Sequence, residues 1–289
     1  MNALEFTNLS KTFRGKKGGR VEALKNLALA INAGEVFGFL GPNGAGKSTT
    51  IKIIMGLIRP TSGQASIMGY GTGSSEARRH VGYLPENPAF YDYLTANEYL
   101  DFVGRTFKMD SGSLERRKEE VLSLLELKDA SKRQIRGYSK GMVQRLGLAQ
   151  VMLHDPDVYI LDEPMSGLDP LGRALVKSII LDLKNQGKCV FFSTHITADV
   201  ESVCDRVGIL LKGELKRVDR VDTIMTEGIH GYLVRIRNSS TGATLEHNIR
   251  TEQLSAFLSR EQEAGNHITL VEPQRNNLEE FFLQIVKGA

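Results

Sequence analysis

The sequence predicts a mainly parallel α/β core with a helical block inserted in it, followed by a small α+β domain. Three observations predict this. Short apolar runs alternate with amphipathic helical segments through the first part of the chain, the order that builds parallel sheets. A glycine-rich turn, Gly41-Pro42-Asn43-Gly44-Ala45-Gly46-Lys47-Ser48, joins one apolar run to a helix. After about Asp222 the texture shifts to strands and helices in the order β-β-α-β-α.

The elements follow in order. Leu4–Asn8, Leu27–Ile31 and Val36–Leu40 read as strands, and Thr49–Met55 as the helix behind the glycine-rich turn. Arg59-Pro60-Thr61-Ser62-Gly63 breaks the chain. Gln64–Met68 and Val81–Leu84 return as strands. From Pro85 to Asp155 the apolar spacing becomes helical, over Glu98–Phe107, Ser113–Leu127 and Gly141–Leu153. Strands then come back at Val158–Leu161, Val190–Ser193 and Val207–Leu211, separated by helices near Leu171–Gln186 and Thr197–Cys204. In the last part, Tyr232–Arg237 and Thr244–Ile249 alternate as strands around a turn at Ser239-Ser240-Thr241-Gly242. Thr251–Glu263 reads as a helix, His267–Val271 as a strand and Leu278–Val286 as a closing helix.

Bulk properties narrow the function classes. At 289 residues, 41% hydrophobic and 25% charged, the composition is that of an ordinary globular protein with room for a core and a small second domain. A net charge of +3 gives no global argument for nucleic acid. The run Lys132–Arg136 is short and has no interleaved aromatics, so it reads as a solvated or partner-facing loop. Cys189 and Cys204 have no metal-ligand spacing and read as reduced structural thiols. The amino terminus is not expected to be a signal peptide, and no apolar run approaches the ~18 residues of a membrane span.

The glycine-rich turn fits the phosphate-binding pattern G-x-x-x-x-G-K-[ST] without mismatch. Glycines let the backbone curl so that successive N–H groups point at phosphate oxygens, and the helix opening at Thr49 adds its positive dipole end. Lys47 can reach the β- and γ-phosphates of a nucleoside triphosphate, and the Ser48 hydroxyl can ligate Mg²⁺. The second signal is Val158-Tyr159-Ile160-Leu161-Asp162-Glu163-Pro164. A strand buried on both faces shows polar side chains only at its carboxyl end, where open α/β sheets bind ligands. Asp162 there can hold Mg²⁺ through water, and Glu163 can orient and deprotonate an attacking water.

With these motifs the chain resembles the nucleotide-binding subunit of an ABC transporter. The strongest mark is Tyr138-Ser139-Lys140-Gly141-Met142-Val143-Gln144-Arg145-Leu146, which resembles the family signature L-S-G-G-Q followed by Q-R. Ser139 would cap a helix whose free N–H groups, with Gly141 allowing close approach, favour a γ-phosphate. Tyr138, Lys140 and Met142 depart from the usual residues and resemble a variant common among exporters of drugs, lipids and polysaccharides. The resemblance implies a P-loop NTPase core of the ABC type over 1–222, with a helical lobe at about 86–155, and a small accessory or regulatory α+β domain over 223–289. It implies ATP and Mg²⁺ as cofactors. Phe13 would stack on adenine. Glu86, in place of the usual glutamine, would sense Mg²⁺ and the γ-phosphate. Asp169, in Ser166-Gly167-Leu168-Asp169, would reach the opposite subunit's site, and His195 would be the switch histidine on the γ-phosphate. His154, before Asp155-Pro156, reads only as a helix-end cation.

The expected function is thus an ATP-hydrolysing subunit that powers a transporter, with an exporter first. An importer ATPase with a substrate-sensing domain, or a soluble ATPase of the same family acting on ribosomes, DNA or cofactor assembly, are the alternatives. Implied partners are separate transmembrane permease subunits and a second copy or homologue of the chain, with no nucleic acid, at the cytoplasmic face of the membrane.

Overall fold

The structure, a computed structural model, describes all residues except 16–18, 228, 240, 276, 288 and 289. Ser240 of the expected turn therefore lies outside the described residues. The chain divides into two compact units, Met1–Val218 and Asp219–Ala289.

The first unit begins with a long antiparallel hairpin, β1 (Asn2–Arg14) and β2 (Arg20–Asn32). Both strands run well past the short segments expected from the sequence. Their exposed outer residues and register shifts break the alternation that a sequence pattern relies on, and Asn8 and Asn26 sit in left-handed backbone at the irregularities. Then come β3 (Val36–Leu40), α1 (Lys47–Ile54), β4 (Ser62–Ile67), β5 (Tyr70–Gly71), α2 (Ser75–Arg79) and β6 (Val81–Leu84). The helical block holds α3 (Ala96–Thr106), α4 (Ser111–Leu124) and α5 (Lys140–Met152). The chain returns through β7 (Val158–Asp162), α6 (Pro170–Asn185), β8 (Cys189–Thr194), α7 (Thr197–Val203), β9 (Arg206–Leu211) and β10 (Glu214–Arg220). The short elements β5 and α2, and the mostly polar β10, carry too little periodicity to stand out in the sequence.

Helix starts follow local chemistry. Thr95 and Glu98 form a reciprocal capping box on α3, while Asp110, Ser139 and Asp169 cap α4, α5 and α6 through their side chains. Pro170 at the first turn of α6 costs no hydrogen bond there.

The main sheet has the order β10-β9-β3-β8-β7-β6, with parallel pairing from β9 through β6. Every residue of β3, β7 and β8 is buried. That is why these strands read as unbroken apolar runs rather than alternations. The alternation reappears as a choice between two cores. Val158, Ile160, Cys189 and Phe191 face the core shared with β1, β2, β4 and α1. Tyr159, Leu161, Val190 and Phe192 face the core shared with the helical block and α6. A smaller antiparallel sheet, β2-β1-β4-β5, covers the first face. Phe191 is central to it, with ring centroids 5.3 Å from Phe39, 6.1 Å from Phe37 and 6.3 Å from Phe6.

The second unit holds α8 (Val221–Glu227), β11 (Ile229–Arg237), β12 (Thr244–Arg250), α9 (Leu254–Glu263), β13 (His267–Arg275) and α10 (Leu278–Lys287). Its antiparallel sheet has the order β12-β11-β13. Val234, Ile236 and Phe257 form its buried centre, flanked by Tyr232, Ile249, Leu254, Leu258 and Ile268. The other face carries the cross-strand pair Arg235–Glu246 at 2.7 Å. Apart from α8, these elements follow the order read from the sequence.

Truncating Phe191 removes the ring that three other aromatics pack on. Phe191→Ala is expected to destabilise the first unit by about 3–5 kcal/mol, read as a shift of its chemical-denaturation midpoint.

Candidate nucleotide site

The parallel register builds the site. Leu40 at the end of β3 lies beside Thr194 at the end of β8, and Ser193 lies beside Asp162 at the end of β7. The carboxyl ends of three neighbouring strands are thus level, and the chain leaves each through a loop on the same side.

The loop after β3 is the phosphate-binding turn. Gly44 and Gly46 have φ of 79° and 114°, conformations that cost a side-chain-bearing residue strain. A Cβ at Gly46 would also meet the Ala23 carbonyl at 2.6 Å. The Gly41 N–H donates to the Thr194 carbonyl (3.3 Å) and the Gly213 N–H to the Ala45 carbonyl (2.9 Å), tying the loop to β8 and to the β9–β10 turn. Gly46 caps α1 with no side-chain acceptor, so the first amides of α1 are left for an anion. Lys47, which opens that helix, is buried. Its ammonium donates to the Gly41 carbonyl at 2.6 Å and lies 3.6 Å from Glu163 Oε1.

Asp162 and Glu163 close the opposite wall, and both are buried. The Ser193 hydroxyl makes a short hydrogen bond to Asp162 Oδ1. The Glu163 N–H donates to the Ser193 carbonyl (3.1 Å) and hydroxyl (3.2 Å). Glu163 itself has φ of 49°, in the left-handed region. Such a conformation costs on the order of 1–3 kcal/mol and persists where the surroundings fix it. Here those surroundings are Ser193 on the backbone side and Lys47 and His195 on the carboxylate side. His195 Nδ1 lies 3.0 and 3.1 Å from the two Glu163 oxygens. Beside them, burial chiefly, and then the Asp162 charge, push the Tyr83 hydroxyl up to about 12, so it stays protonated.

A cavity of about 210 Å³ lies between these walls, lined by Ala23, residues 42–49, Glu86, Glu163 and His195. Pro42, Asn43, Gly44, Ala45, Gly46, Lys47, Ser48 and Thr49 are thus brought together with Glu86, Glu163 and His195. Gly41 anchors the loop from just behind it, and Asp162 stands behind Glu163. Other expected site residues lie outside its lining. Phe13 is exposed on β1, with the Lys11 ammonium 5.0 Å over its ring. Ser139 caps α5 by accepting from the Met142 N–H (3.3 Å). Asp169 caps α6 by accepting from the Gly172 N–H (2.8 Å). Lys140 lays its stem on Gly167, where a Cβ would stand 2.7 Å from its Cε. Gly141 stands beside Leu168. The signature helix and the 166–169 loop therefore touch each other.

Two residues have roles that the sequence does not assign. Ser193 was visible only as the end of an apolar strand, yet it joins the two carboxylate residues. Its signal was a hydroxyl at a fully buried position. Gln144, also buried, donates to the Pro164 carbonyl at 3.2 Å, tying α5 to the turn after Glu163.

The donors fit a hard divalent cation. Ser48 offers a hydroxyl and Asp162 a carboxylate, and Mg²⁺ takes few protein ligands and fills the rest with phosphate oxygens and water. Among the described residues, no group of three or more His, Cys, Asp or Glu could hold a metal unaided.

Backbone amides, a buried ammonium and a buried carboxylate around one small cavity suit phosphoanhydride hydrolysis. This puts the chain among the phosphate-loop nucleoside triphosphatases. Residues 24–166 match the ABC transporter family model. The linearmycin resistance ATP-binding protein LnrL of Bacillus subtilis is 33% identical over 98% of this chain and 97% of its own. An uncharacterized ABC transporter ATP-binding protein of Synechocystis is 50% identical over 74% of this chain, and the chain spans 62% of that relative. A dimeric, post-hydrolysis structure of the ATP-binding cassette MJ0796, bound to ADP and Pi, superposes with a TM-score of 0.69 at 26% identity, covering 75% of this chain and 98% of that one. The chain belongs to the ABC transporter ATP-binding proteins, a family of ATPases. No helix among the described residues is long and apolar enough to cross a membrane.

Ser193→Ala would leave Asp162 Oδ1 and the Glu163 N–H without the hydroxyl. A loss of about 1–3 kcal/mol in unfolding free energy is expected, measured by denaturant titration.

Proposed function

We propose that this chain is the ATP-hydrolysing subunit of an ABC exporter, acting with separate membrane subunits at the cytoplasmic face of the membrane. The observation that carries the hydrolytic reading is the Glu163 carboxylate, fixed by its backbone between Lys47 and His195 at the mouth of the phosphate loop. ATP is the substrate. The amides of residues 42–49 and the Lys47 ammonium bind its phosphates. The ammonium has carbonyl and carboxylate partners to exchange for phosphate oxygens. Phe13 stacks on the adenine. Ser48, Asp162 and Glu86 hold Mg²⁺, which when bound neutralises charge on the β- and γ-phosphate oxygens. Glu163 takes the proton of the attacking water, and His195 holds Glu163 and meets the γ-phosphate.

The lining of the cavity supports a site shared between two chains. The cavity is lined by the phosphate loop, Glu86, Glu163 and His195, while Ser139, Lys140, Gly141 and Asp169 lie outside it. A second copy or a homologue supplies the missing wall through Ser139, Lys140 and Gly141 of its signature helix and Asp169 of its interface loop. Closure on ATP and release after hydrolysis is an order–disorder and rigid-body switch of the kind that drives other nucleotide machines. The Tyr-Ser-Lys-Gly-Met signature and the likeness to a relative named for linearmycin resistance support export rather than import. The second unit, 219–289, acts as an accessory domain.

Two variants test this reading. Glu163→Gln is expected to keep ATP binding, lower hydrolysis by about 10²–10⁴-fold, and trap a dimer in ATP by size-exclusion chromatography. Hydrolysis at an unchanged rate would remove Glu163 as the base. Lys47→Ala is expected to lose a charge-assisted contact of about 1.5–3 kcal/mol, read as weaker nucleotide affinity by calorimetry.

A further inference from the structure

The geometry points to Arg173, Asp199 and Lys177 as positioning residues that set His195 from the loop ending at Asp169. This rests on the proposed role of His195 in hydrolysis.

Asp199 is 1% exposed. A carboxylate that deep needs cationic partners, and it has two, both on α6. Arg173 Nη2 donates to its two oxygens at 2.7 and 2.9 Å, and Lys177 Nζ lies at 3.3 Å. One end of this cluster leads to Asp169 and the other to the loop that carries His195. On one side, the Arg173 N–H donates to the carbonyl of Asp169 at 2.9 Å, and the Asp169 side chain caps the same helical turn. On the other, the Asp199 N–H donates to the Ile196 carbonyl at 3.3 Å, one residue after His195.

α7 has no side-chain cap of its own. The Thr194 hydroxyl accepts from the Ile196 N–H at 3.1 Å inside the loop that carries His195, and Asp199 anchors the turn that follows to α6. A displacement of the 166–169 loop moves the first turn of α6, which carries Arg173. The ion cluster passes that movement to α7 and so to the 3.0 Å contact between His195 and Glu163. A partner chain that touches Asp169 would in this way reset the histidine of the same subunit without touching it. Arg173 and Lys177, two of the three cations of α6, stand one turn apart on one face, as a shared partner at Asp199 requires.

The test uses the full chain. Arg173→Ala leaves Lys177 beside Asp199, so the buried charge keeps a partner and the protein should fold. ATPase kcat is expected to fall about tenfold or more, with KM changed less than about twofold, because misplacing a catalytic group lowers turnover more than binding. The ¹H–¹³C imidazole resonance of His195, assigned by its loss in His195→Ala, should shift while those of the other histidines stay in place. Arg173→Lys should restore most of the turnover and the resonance. An unmoved His195 resonance in Arg173→Ala would overturn the inference, as would a fall in kcat that only follows a loss of thermal stability. His195→Ala is the control for the underlying reading. If it hydrolyses ATP normally, the proposed role of His195 fails. If it is impaired while Arg173→Ala leaves the resonance and kcat alone, only the positioning inference fails.

Discussion

Everything at this site depends on the parallel register of β3, β8 and β7. Because Leu40 pairs with Thr194 and Asp162 with Ser193, three loops leave one sheet at the same level. The phosphate loop, the Asp-Glu turn and the histidine loop are far apart in sequence, yet they meet without any of them having to reach. Parallel strands need a buried sheet, and both cores supply it. Aromatic packing around Phe191 on one face and the helical block on the other fix how the strands pair. A slip of one residue in β7 would exchange Leu161 for Asp162 in the core, so hydrophobic burial and site geometry enforce the same register.

Ser193 adds a second, local constraint. Its backbone and hydroxyl hold the Glu163 N–H, while the hydroxyl also engages Asp162. A left-handed Glu163 is costly in isolation. The turn tolerates it because two hydrogen bonds on the backbone side and the Lys47 and His195 side chains on the carboxylate side leave it few alternatives. A carboxylate fixed in advance suits the proposed role of Glu163 as a base, since an oriented group spends no free energy on reorganisation as a proton moves.

Much of this was legible in the sequence, and the reason is that chemistry and fold coincide there. The phosphate loop needs glycines at left-handed positions, and Gly44 and Gly46 occupy them. Buried parallel strands need unbroken apolar runs, so β3, β7 and β8 stood out along with the polar residues that end them. The poorly legible parts are those governed by long-range contacts. The extended halves of β1 and β2 are stabilised by pairing with each other rather than by a pattern in either. Ser193 looks like the unremarkable end of a strand until its neighbour across the sheet is known to be Asp162. Gln144 sits in the signature helix, but its task is set by Pro164, on a different element.

The same distinction bears on the residues that do not meet in the cavity. Ser139 and Asp169 spend their side chains capping the helices of their own chain. A capped helix N-terminus still has amides to spare, because one side chain satisfies one of the four orphan donors. The two loops also lean on each other, with Lys140 resting on Gly167. A phosphate arriving from outside would therefore meet a preformed pair of loops rather than two independent ones. That coupling favours an all-or-none response, since a contact made at one loop constrains the other. Extended through Arg173 and Asp199, it gives a physical basis for linking the 166–169 loop to His195 and the Glu163 carboxylate of the same subunit.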